Sequence, residues 1–186
     1  MNKKFIADFT LLLVVFVWGS TFVIVQDAIS FLTPFSFNAI RFFIAFVILL
    51  SIYMIFTKKD KLHFTKDSIK SGFVIGTWLC FGYGFQTFGL LYTTPAKAGF
   101  ITGLSVVLVP LFSFLLLKYA LNRNIILGVI FTAAGLYMMT TMQTSSFSIG
   151  DFLVLLCAVS FAMHIIMTSK YAAKHHAMPL TILQIG

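Results

Sequence analysis

Charge is scarce in this chain of 186 residues: 10% are Asp, Glu, Lys or Arg, and only five of those are acidic, against 60% hydrophobic. Such a composition, with a mean hydropathy of +1.01, cannot cover its apolar surface with polar groups, which excludes an ordinary water-soluble domain. Cysteine is also rare. Cys80 and Cys157 each stand alone in an apolar run without a CxxC, so neither a disulfide nor a metal site is indicated and packing is their expected role. There is no HExxH, His164 has no second ligand four residues on, and no carboxylate lies in the middle of an apolar run. The constellations an intramembrane enzyme needs are therefore missing, and the reading is a non-enzyme without metal or cofactor.

What is present is long apolar runs. Six can be read, Phe9 to Val25, Pro34 to Phe56, Ser71 to Tyr92, Pro95 to Leu117, Ile125 to Met142 and Phe152 to Ser169, and a seventh starts at Pro179. About 20 apolar residues of helix span a bilayer core of roughly 30 Å, and within lipid only helices or closed barrels satisfy their own backbone. The fold class is all-α, a polytopic transmembrane helical bundle. Thr33-Pro34 and Thr94-Pro95 place a capping hydroxyl before a proline whose missing N–H is no loss at the first helical position, so helices should start there.

Lys and Arg in short loops stay on the cytoplasmic side. With the N-terminus inside, the inner segments hold Lys3, Lys4, Lys58, Lys59, Lys61, Lys66, Lys70, Lys118, Arg123, Lys170 and Lys174, while the outer loops hold only Lys97. The predicted location is a cell membrane, a bacterial inner or plasma membrane, crossed several times. The formal charge of +8 then reports topology and attraction to anionic lipid, not nucleic-acid binding. Val17-Trp18-Gly19 loosely fits a signal-peptide cleavage site, but the apolar run continues past it to Val25, which favours a retained first helix.

A short internal match links Ala7-Asp8-Phe9-Thr10-Leu11 to Gly150-Asp151-Phe152-Leu153-Val154, and Thr33-Pro34-Phe35 to Met178-Pro179-Leu180. Five helices separate the two starts, an odd number, so the second copy would enter from the opposite face as an inverted repeat. The predicted organisation is a first five-helix repeat over 1–142, an external linker over 143–149, and an incomplete second repeat over 150–186. After Pro179 only seven residues remain, roughly 10 Å of helix. The expectation is therefore an N-terminal fragment lacking about four helices, since a natural end there would leave carbonyls in hydrocarbon.

Trp18-Gly19-Ser20-Thr21-Phe22, Arg41-Phe42, Phe85-Gln86-Thr87-Phe88-Gly89-Leu90 before Tyr92-Thr93-Thr94, Ala98-Gly99-Phe100-Ile101-Thr102-Gly103-Leu104, Val109-Pro110, Gly150-Asp151 and His164-Ile165 together resemble the EamA-type transporters of the drug/metabolite transporter superfamily. The resemblance covers nearly the whole chain. It implies ten helices in two inverted five-helix repeats, and export or uptake of small metabolites such as amino acids through a central cavity, usually without ATP.

Six residues are the substrate-binding candidates: Trp18, Thr21, Arg41, Tyr83, Gln86 and His164. Arg41 leads, because a charge at depth in a membrane helix costs roughly 2.5–3.5 kcal/mol on insertion scales and so faces a cavity or a partner, unless it snorkels to the headgroups. His164 suits either a substrate contact and proton coupling or an interhelical hydrogen bond. Tyr83 and Gln86 stand three residues apart on one face, as do Trp18 and Thr21; the four belong to the motifs that the resemblance sets near the central cavity. Pro110, inside the fourth run, should kink it and serve as a hinge. Asp8 and Asp151 are assigned to helix capping, Asp27 to a solvated helix end, and His175 and His176 to a basic inner loop. Gly72, Gly76, Gly82, Gly84, Gly89, Gly99 and Gly103 are assigned to close helix packing.

The function this predicts is a secondary transporter of small metabolites, working by alternating access between inverted repeats. The alternative is a membrane scaffold or regulatory protein complete at Gly186, which would require a homodimer, or an inactive fragment. The partners are then the lipid bilayer and a small-molecule metabolite.

Overall fold

The computed structural model describes residues 3–57, 64–117, 123–142 and 147–186. Among them the chain forms helices and no strands: α1 Lys3–Ala28, α2 Pro34–Phe56, α3 Lys66–Gly89, α4 Pro95–Gly103, α5 Ser105–Leu117, α6 Arg123–Met142, α7 Ile149–Ala172 and α8 Ala177–Ile185. The inner-loop residues Lys58, Lys59, Lys61 and Lys118, and most of the linker expected over 143–149, lie outside the described residues.

Both threonine–proline starts behave as their chemistry requires. Thr33 Oγ1 accepts from the Ser36 N–H and Thr94 Oγ1 from the Lys97 N–H, each at 3.3 Å, with the proline at the head of the helix. Two further starts are capping boxes. Thr65 and Ser68 exchange bonds at the head of α3, and Ser148 and Asp151 at the head of α7. These caps bring α3 in at Lys66 rather than Ser71, and α7 at Ile149 rather than Phe152, because a cap sets a helix start ahead of its first apolar residue.

Four segments are long and apolar enough to cross a membrane: Phe5–Ala28, Pro34–Phe56, Pro95–Leu116 and Ile149–Ala172. Six had been expected. The apolar part of α6, Arg123–Gly135, is shorter. α3 has the length but not the apolarity, and its place explains why: it packs chiefly against α7 and α8, and also meets α2 and α4. Its buried residues are small or polar, Ser68, Ser71, Gly72, Gly82, Gln86, Thr87 and Gly89 beside Ile75. A helix face packed against other helices gains more from close backbone approach than from apolar bulk, which only lipid contact requires. By contrast α1, α2 and α6 leave large apolar side chains exposed along most of their length. The chain is a multi-pass membrane protein.

The expected glycine packing holds on one side of α3. A Cβ on Gly76 would come within 2.7 Å of the Gln184 carbonyl oxygen in α8, and one on Gly82 within 2.6 Å of the Phe161 ring in α7. Gly84 and Gly103 have nothing within 4 Å of a built Cβ, and at Gly99 the contact with Phe22 is an ordinary 3.7 Å. At these three positions a Cβ has room, so close packing does not require glycine there.

The fourth run is one span but two helices, with the interruption at Leu104. There the chain tightens, the Leu104 N–H reaching back to Ile101 and the Val107 N–H to Leu104. Pro110 lies farther on, inside α5. A hydrophobic core joins α1 to the α3–α4–α7 junction through Phe22, Val25, Ile29, Leu90, Ala98 and Val154. Residues 150–186 thus share a core with the helices before them: α7 and α8 both lie against α3.

Candidate functional site

Arg41, about two turns into α2, turns its guanidinium onto aromatic rings. Its carbon lies 4.4 Å from the centroid of Tyr83, 5.0 Å from Phe42 and 5.2 Å from Phe37. Desolvated cation–π contacts are worth about 0.5–2 kcal/mol each, so three of them are comparable with the insertion cost of the charge. Nη2 donates to Asn38 Oδ1 at 2.8 Å. Nε is buried and has no hydrogen-bond partner, an arrangement that costs roughly 1–3 kcal/mol for an ordinary donor.

Asn38 is held in turn. Its Nδ2 donates to Thr87 Oγ1 at 3.1 Å and to the Tyr83 carbonyl at 3.4 Å, while the Thr87 hydroxyl lies 2.7 Å from that same carbonyl. Arg41, Asn38, Thr87 and Tyr83 thereby tie α2 to α3. The Tyr83 ring stands edge-on to Phe42 and to Phe161, both at 5.1 Å, and Phe161 meets Trp18 at 6.5 Å. A continuous aromatic path runs from α1 through α7 and α3 to α2, and it joins three of the six candidate residues: Trp18, Tyr83 and Arg41.

The other three lie elsewhere. The Thr21 hydroxyl bonds to the Trp18 carbonyl of its own helix at 2.6 Å. Gln86 is buried; its Nε2 donates to Thr102 Oγ1 at 3.5 Å, and Thr102 lies 4.0 Å from the buried Cys157 Sγ. His164 Nε2 is 3.0 Å from Gln184 Oε1, which makes this ring nitrogen the donor and joins α7 to α8.

A cavity of about 530 Å³ opens between α2, α3 and α8. Asn38, Phe42 and Tyr83 form part of its wall, with Phe35, Phe73 and Phe81, and Gln184 reaches it from α8. Cys80 also lines it and is exposed, which corrects the packing role expected for that residue. Arg41 stands one side chain behind the wall, in contact with three of its members.

A second polar cluster, at the end of the bundle where α7 begins, was not foreseen. Asp151 is buried, accepts from the Ser148 N–H at 2.9 Å and from the Thr93 hydroxyl, and lies 3.6 Å from Lys97 Nζ. Gln26, from α1, donates to the carbonyls of Leu90 and Thr93 at 3.1 and 3.0 Å. The capping role of Asp151 holds. Asp8 is different: α1 starts at Lys3, so Asp8 falls in the second turn, exposed and beyond the reach of a cap. Asp27 is exposed, as expected. His175 does more than sit in a loop, with Nε2 at 3.1 Å from Ser71 Oγ and 3.5 Å from the exposed Asp67. A serine or threonine three residues before Asp or Ser, as in Ser148/Asp151 and Thr65/Ser68, is the sequence signal that would have found both caps.

The chain is similar to proteins named as transporters. It is 41% identical over 183 residues to an uncharacterized transporter of Archaeoglobus fulgidus, covering 98% of this chain and 55% of that protein. It is 28% identical to the uncharacterized transporter YyaM of Bacillus subtilis, over 82% of this chain and 52% of that protein. With the uncharacterized transporter YoaV of the same organism the identity is 27%, over 87% and 56%. The chain spans about half the length of the curated relatives it matches. No solved structure matches it. The EamA-like transporter family matches residues 5–141, and the chain belongs to that family.

Proposed function

We propose that the protein carries small metabolites, amino acids among them, across the cell membrane as a secondary transporter, by alternating access through a central cavity between inverted repeats. The observation that carries this reading is the 530 Å³ cavity between α2, α3 and α8, walled by aromatic residues with a few polar groups. Ligand sites are typically of this kind: clefts of roughly 300–1,000 Å³, largely apolar, with sparse polar groups that orient the ligand. The transporter relatives and the family support it. The distribution of Lys and Arg supports an N-terminus on the cytoplasmic side.

In this reading Tyr83 and Arg41 form the polar edge of the binding region and Trp18 extends its aromatic path. Gln86 and Thr21 act one layer behind, and His164 meets the cavity through Gln184. A proton taken up by His164 would change its bond to Gln184, which gives proton coupling a physical route. The α4–α5 span carries its flexible point between Leu104 and Pro110, where one backbone bond is absent and another is tightened.

Uptake and efflux of a labelled metabolite panel in proteoliposomes tests the proposal. Saturable transport by the wild type that falls at least tenfold in Arg41→Ala and Tyr83→Ala, at unchanged expression, is the expected result. Transport undiminished in both variants would remove them from the path, and no transport of any solute would overturn the reading in favour of a scaffold.

A further inference from the structure

We propose that the ligand of this cavity is a small organic monoanion, a carboxylate on an apolar body, and that Arg41 supplies its counter-charge. The inference deepens the transport reading and rests on it for the fate of the ligand, not for its recognition.

Three observations lead there. Arg41 is a cation without an anion: among the described residues no carboxylate forms an ion pair with it, and Asp151, the buried acid, is taken by Lys97. Its neutral neighbours, three rings and the Asn38 amide, spread the charge but do not cancel it. The buried Nε–H has no acceptor. In a protein interior such a donor is normally matched, so the guanidinium keeps unspent capacity to stabilise an anion brought near it.

The third observation is position. Asn38, Phe42 and Tyr83 touch Arg41 on one side and line the cavity on the other. In a low-dielectric surrounding the field of the guanidinium crosses a single layer of side chains with little screening. The rest of the wall is largely apolar, Phe35, Phe73 and Phe81 among it, with Thr77 and Gln184 as neutral polar groups and no charged side chain, so the remainder of the ligand is uncharged and mostly apolar. One positive charge also sets the valence. A carboxylate is neutralised by it, whereas a phosphate dianion would bring an unpaired negative charge into an aromatic cavity.

The test is ligand-induced thermal stabilisation of the full chain in nanodiscs of zwitterionic lipid. The probes are hexanoate and phenylacetate, their neutral amides hexanamide and phenylacetamide, and phenyl phosphate. The expected result is that each acid binds about tenfold more tightly than its amide, that Arg41→Gln abolishes this preference, and that Arg41→Lys retains it. Equal binding of acid and amide to the wild type overturns the proposal without recourse to any variant, as does tighter binding of phenyl phosphate. Loss of carboxylate binding when phosphatidylglycerol is added overturns it too, by assigning Arg41 to a lipid headgroup. If the acids bind as expected but none is moved in proteoliposomes, the transport reading fails and the recognition of a monoanion stands.

Discussion

Lys97 and Asp151, 54 positions apart in the chain, meet at 3.6 Å with side chains only 11% and 3% exposed. The contact joins the first turn of α4 to the first turn of α7. Asp151 also caps its own helix and takes the Thr93 hydroxyl, so one carboxylate fastens two helix starts and the turn between α3 and α4. Gln26 clamps that same turn from α1.

Breaking this pair from one side should therefore be more damaging than replacing both partners. Asp151→Ala takes the buried carboxylate away from Lys97, from the Ser148 N–H and from the Thr93 hydroxyl and should cost about 3–5 kcal/mol. The double variant Lys97→Met with Asp151→Ala should recover part of that loss. A double-mutant cycle on unfolding in detergent reads the coupling; additive losses would mean that the pair contributes nothing of its own.

Gly82 and Gly84 differ by two positions and should respond oppositely to alanine. At Gly82 the new Cβ meets the Phe161 ring at 2.6 Å, and Phe161 is wedged between Tyr83 and Trp18, so the ring has little room to retreat. The expected loss is about 1–3 kcal/mol. At Gly84 the space is open, and alanine should stabilise the helix by about 0.5–1 kcal/mol. Thermal unfolding of the two variants side by side settles the comparison.

His164 should contribute modestly to stability and more to coupling. An interhelical hydrogen bond in a membrane protein is worth about 0.6 kcal/mol on average and up to about 1.7, so His164→Ala should destabilise by no more than that range. If the transport reading holds, an imposed pH gradient drives solute accumulation in the wild type and not in His164→Gln, measured in proteoliposomes at equal protein content. Accumulation preserved in the variant assigns His164 to fastening α7 to α8.

The two cysteines should label differently. Cys80 is exposed on the cavity wall and Cys157 is buried beneath Thr102. Mass spectrometry after brief treatment with a small thiol reagent should find the adduct on Cys80 alone, and a ligand that fills the cavity should slow its formation severalfold. Equal labelling of both residues would mean that the α3–α4–α7 junction opens on the timescale of the reaction.

The membrane class was legible in the sequence because it depends on composition and run length, which need no partner. The starts of α2 and α4 were legible for a related reason: Thr33-Pro34 and Thr94-Pro95 act within one turn of themselves. The polarity of α3 was misread as that of an ordinary span, since an apolar run is recognised as if lipid surrounded it, and this helix packs chiefly against α7 and α8. Among the candidate residues, Tyr83 and Gln86 share a helix face by spacing, yet one goes to Arg41 and Phe161 and the other to Thr102.

By itself, then, the sequence determined the solvent, the helices and the rare charged residue that must find company, because hydropathy, capping and the cost of burying a charge are local quantities. Only the tertiary structure decided that the company is Tyr83, Phe42 and Asn38, that a cavity lies behind them, and that Asp151 answers Lys97 rather than Arg41. The Tyr83 contact, the cavity and the Lys97–Asp151 pair join distant segments, and they follow from which helix faces pack together, which no single run of residues specifies.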